Sequence, residues 1–153
     1  MKAVRAERVP AAAEEDQGSL RCLALTACGL TRDDAVALVE AILSGEEYGG
    51  APPLELELAD NITLGSDGAA ALAPLVAGGS VVALNLDNCG MGQEGAVALG
   101  AALASPTCAL QSLHIGRNHM GAAGAAAIAD GLRRGAGRLR ELSMVGRCSL
   151  TLA

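Results

Sequence analysis

At 153 residues with a formal charge of −6 and a pI near 4.8, the chain is one domain long and acidic. It has no basic patch of the kind that nucleic acid or an anionic membrane surface requires. Apolar residues make up 51%, yet there is no Phe or Trp and Tyr48 is the single aromatic, so the core must come from Leu, Val, Ile and Ala. Such small side chains suit close, repetitive packing.

Residues 1–19 carry Lys2, Arg5 and Arg8 without an apolar h-region, and Glu7, Glu14, Glu15 and Asp16 do not fit a transit peptide. They read as a poorly ordered lead-in, or as a partial cap with a short helix over Ala11 to Asp16. No uncharged apolar run reaches the length of about 18 residues that a membrane span needs. The expectation is a soluble, intracellular chain, cytoplasmic with nuclear or cytoskeletal association left open, and with no membrane contact.

From Leu20 onward the chain repeats itself. The stretch LQSLHIGRN places Leu110, Leu113 and Ile115 at positions 1, 4 and 6, and Asn118 at position 9. The same frame holds for Leu20, Leu23, Leu25 and Cys28, and for Val81, Leu84, Leu86 and Cys89. It holds for Pro53, Leu56, Leu58 and Asn61 with a flawed first position, and a last copy runs through Leu139, Leu142 and Met144 to Arg147. Unit starts at 20, 53, 81, 110 and 139 are 33, 28, 29 and 29 residues apart.

Each frame is followed by a loop and then by helical spacing. Leu64-Gly65, Met91-Gly92 and Met120-Gly121 open the second half, and Gly68, Gly95 and Gly124 follow. The pairs Leu38/Ile42, Leu72/Val76, Leu99/Leu103 and Ile128/Leu132 then lie four apart on one helix face. Unit two needs one extra loop residue at Ile62-Thr63 to keep this register.

Those frames resemble the leucine-rich repeat family, and the 28 to 29 residue length is similar to its ribonuclease-inhibitor type. The resemblance implies an α/β solenoid, a horseshoe with a concave parallel β-sheet and convex α-helices, over residues 20–153. Elementary packing points the same way, since one unit alone cannot bury both its strand face and its helix face. The Asn or Cys at position 9 is expected to cap turn backbone as a ladder. The Ala-rich helices, such as Ala122-Ala123 and Ala125 to Ala127, are expected to let units approach closely.

Two regions depart from the repeat. Residues 44–52 lengthen unit one into a loop, which reads as a tolerated insertion or as a contact loop using Glu46, Glu47 and Tyr48. The last unit has a strand and then stops, so either the array continues or a partner covers this edge in end-on association.

Sites for chemistry are scarce. Gly90-Met91-Gly92-Gln93-Glu94-Gly95 matches GxGxxG after a strand, the setting of a dinucleotide fingerprint. Its recurrence at residues 63–68 and 119–124, and the lack of an acidic residue in 112–118, make the glycines turn residues instead. No cofactor is expected. Cys28 and Cys89 fall two strands apart, roughly 10 Å at a strand spacing of about 4.8 Å, too far for a disulfide. The five cysteines are expected to be reduced thiols. Cys89, Cys108, His114 and His119 lack metal-ligand spacing, and no catalytic motif is present.

The informative surface is the outward side of the strands, at positions 5, 7 and 8. It gathers Glu57, Asp60, Asn85, Asp87, His114 and Arg117 as the partner-binding candidates. The expected function is non-catalytic recognition of another protein, one with a basic surface, on the concave sheet. Two alternatives stay open: a subunit packed end-on in a larger assembly, or a regulator of a partner enzyme (an inhibitor, or a GTPase activator through Arg117), the latter by fold analogy alone.

Overall fold

A computed structural model describes residues 21–44, 54–135 and 137–145. The 1–19 lead-in, Leu20, Glu46, Glu47, Tyr48, Pro53, Gly146, Arg147 and Cys148 lie outside the described residues. Strands and helices alternate: β1 (Cys22–Ala24), α1 (Arg32–Ser44), β2 (Leu54–Glu57), α2 (Gly65–Ala77), β3 (Val81–Asn85), α3 (Gln93–Leu103), β4 (Ser112–His114), α4 (Gly121–Arg134) and β5 (Glu141–Ser143). All five strands are parallel in the order β1-β2-β3-β4-β5. This is the α/β leucine-rich-repeat solenoid that the frames imply. No described helix is long and apolar enough to cross a membrane.

The strand register is the repeat register. Leu23, Leu56, Leu84, Leu113 and Leu142, the fourth position of every unit, stand side by side across the sheet. Leu56, Leu84 and Leu113, with Leu58, Leu86 and Ile115 at position 6, are buried under the helices. Each such side chain stabilises the stack by about 1.5–3 kcal/mol. Unit two mends its flawed start locally: Leu54 pairs with Val81 through a register shift between Leu54 and Glu55, so Leu54 enters the core.

The helices keep the predicted inward pairs in the middle units, where Leu72, Val76, Leu99 and Leu103 are buried. At the first described helix the inward residues are instead Ala35 and Val39, with Leu38 and Ile42 half-buried. The start of α1 is held by Thr31 and Asp34. The Thr31 amide and hydroxyl both donate to Asp34 Oδ2, at 2.8 and 2.7 Å, a reciprocal cap that holds the Asp34 carboxyl below its usual range. The extra residue of unit two is absorbed by a 3-10 turn at Ile62–Leu64 ahead of α2.

Close approach between helices comes from glycine more than from the alanines. Ala122, Ala123 and Ala126 are exposed on α4. A Cβ at Gly131 would run into the Gly100 backbone, and one at Gly100 into Ala127. The two helices therefore touch main chain to main chain.

The turns after the strands are held by two buried amides. Asn61 Oδ1 accepts from the amides of Cys28 and Leu30, at 3.0 and 3.1 Å, and its Nδ2 donates to the carbonyls of Leu25 and Leu58. Asn118 repeats this two units on, accepting from Cys89 and Met91 and donating to Leu86 and Ile115. Each Asn thus completes the turn of the unit before it. Cys89 makes a weaker link of the same kind, its thiol donating to the Leu58 carbonyl at 3.1 Å.

Asn118→Ala should lower the unfolding free energy by about 3 kcal/mol or more, since each buried donor or acceptor left unpaired costs about 1–3 kcal/mol. Urea unfolding followed by circular dichroism measures it; a loss near that of an exposed Asn would remove the ladder from the account. Gly131→Ala should cost about 1–3 kcal/mol through overpacking in the same assay, whereas Ala126→Leu, on the exposed side, should be near neutral.

Candidate binding face

Side chains at positions 3, 5 and 7 leave the sheet on the side opposite the leucines. Glu57, Asn85 and His114 form one row across β2, β3 and β4, because the register sets Glu57 beside Asn85 and Asn85 beside His114. Asp87 follows at position 7. Asp60 and Arg117, with Asn88 between them in unit order, stand at position 8 along the rim where the strands turn toward the helices. The structure therefore brings all six predicted residues to one face and its adjoining rim, across the three adjacent strands β2, β3 and β4 and their turns.

Position 8 has an unusual backbone. Ala27, Asp60, Asn88 and Arg117 have φ of 54°, 61°, 54° and 54°, the left-handed region, in four successive units. Beyond the strands, the ladder continues through this turn: Asp60 N–H donates to Asp87 C=O, Asn88 to Gly116, and Arg117 to Val145, at 2.9, 2.9 and 3.1 Å. The backbone is fixed first, and residues at this position must accept it. Asp and Asn do so readily; Ala and Arg carry some strain.

Three acidic side chains are held from the next unit. Asn85 Nδ2 donates to Glu57 Oε2 at 2.8 Å, Asn88 Nδ2 to Asp60 Oδ1 at 2.9 Å, and the Gly116 amide to Asp87 Oδ1 at 2.5 Å. Asp87 is thus as much a fastener between units three and four as a surface group. Farther along, Glu141 receives Ser112 Oγ at 3.3 Å and lies 3.4 Å from His114 Nε2. What the arrangement offers is a set of carboxylates fixed in direction on a sheet, suited to donors such as guanidinium or ammonium groups.

The sequence reading passed over position 3, which faces the same way. Glu55 and Glu141 are exposed there and widen the acidic row, with Cys22 and Ser112 in the same register. A signal for the acidic character was available: residues 33–116 contain eleven Asp or Glu and no Lys or Arg. Two thiols feel that field. Burial first, and then the Glu55 and Glu57 carboxylates, raise Cys22. Burial again leads at Cys89, with Asp60 and Asp87 adding to it, and the thiol is pushed up to about 11.

The loop that matches GxGxxG is occupied by the neighbouring unit. The Gly92 amide, which a phosphate would need, donates to Ser66 Oγ at 2.9 Å. Gly90 has φ 68° and presses on the Ile62 carbonyl, so a side chain there would collide with unit two. The glycines serve unit stacking.

Residues 80–100 and 108–129 match the family model described as Leucine Rich repeat. Both stretches are leucine-rich repeats. They are units three and four, the pair joined by Asn118, and they contain Asn85, Asp87, His114 and Arg117. No curated protein matches the chain.

Two expectations follow from this geometry. Arg117→Gly should leave stability unchanged or raise it by up to about 1 kcal/mol, because glycine adopts the left-handed backbone freely; a drop in the thermal midpoint would contradict the strain argument. For Cys89, an unfolded thiol ionises near its ordinary value of 9.0, while the folded one stays protonated to about 11. The folded state binds that proton more tightly, so its contribution is complete below pH 9 and is lost between 9 and about 11. Cys89→Ala should flatten denaturant midpoints across that interval relative to the unsubstituted chain.

Proposed function

We propose that this solenoid is a non-catalytic protein-recognition module, and that its partner docks on the open sheet face through basic or hydrogen-bonding side chains. Leucine-rich repeats generally bind other proteins, and the 28 to 29 residue spacing supports a reading of the ribonuclease-inhibitor type. The observation that carries the reading is the pinned carboxylate row. Glu57, Asp60 and Asp87 each spend one oxygen on a bond from the next unit. The second oxygen of each is available to a partner at little cost in side-chain ordering. Glu55 supplies a further exposed carboxylate beside them, and Arg117 offers a donor at the rim.

The partner in this reading carries arginine or lysine side chains spaced to the strands, about 4.8 Å or a multiple apart. Electrostatic attraction from an acidic face would speed encounter and make binding sensitive to salt.

Glu57→Lys tests this better than a change at Asp87, because Asp87 also fastens Gly116. Partners captured on the immobilised unsubstituted chain should be lost on Glu57→Lys, with its circular dichroism native, and kept on Glu94→Lys, an exposed position on α3. Equal capture by all three chains would rule out the sheet face as the docking site.

A further inference from the structure

We draw no further inference here: the strongest candidate, the apolar edge at the last described strand, β5, where Leu142 and Val145 are 39% and 79% exposed, carries nothing because no described residue shows what covers it.

Discussion

Everything on the open face depends on two buried side-chain amides, those of Asn61 and Asn118. A turn that leaves a strand and swings toward a helix points several N–H groups inward, where water does not reach them, and each needs an acceptor. The Asn supplies it from one unit further on, while its own Nδ2 satisfies carbonyls on both sides of the junction. In all four turns the residue at position 8 sits in the left-handed region, whether Asn or Cys follows it, and hydrogen bonding between units extends past the ends of the strands. Asp60 and Arg117 therefore start from a backbone fixed between units, and Asp60 is further held by Asn88 Nδ2.

The convex layer sets the other dimension. Gly100 and Gly131 bring α3 and α4 into main-chain contact, and Gly95 and Gly124 admit Met91 and Met120 beneath the helices. The distance between helices governs how the units lie against one another, and so how far apart side chains in neighbouring strands stand on the far side of the sheet. A methyl group added at Gly131 would act on the carboxylate row from the opposite side of the molecule. Core volume, interunit spacing and surface geometry are one problem in a stack where each unit touches only its neighbours.

Much of this was legible in the sequence because a repeat states its own periodicity. The frame at positions 1, 4 and 6 gave the strands, their order and their inward side, and the i, i+4 pairs gave the helices. Four of the six candidate residues followed from alternation, and Asp60 and Arg117 from their place just after the strand. Position 3 was passed over although the same alternation includes it, and Glu55 and Glu141 were lost with it. Other features were out of reach for a reason: they are relations between units. The bond from Gly116 to Asp87, the shift that brings Leu54 inward beside Val81, and the glycine contacts between α3 and α4 each need two units superposed. The alanines drew attention by their number, yet spacing is decided by the few residues that have no side chain at all.

The forward reach of the amides also gives the solenoid a direction in time. The turn at Cys28 to Leu30 is closed by residue 61, and the turn at Cys89 to Met91 by residue 118. A chain growing from its N-terminus therefore lacks the partner for each of these turns until the whole of the next strand and the Asn beyond it are present. A chain cut just short of either Asn would leave the amides of the preceding turn without their side-chain acceptor.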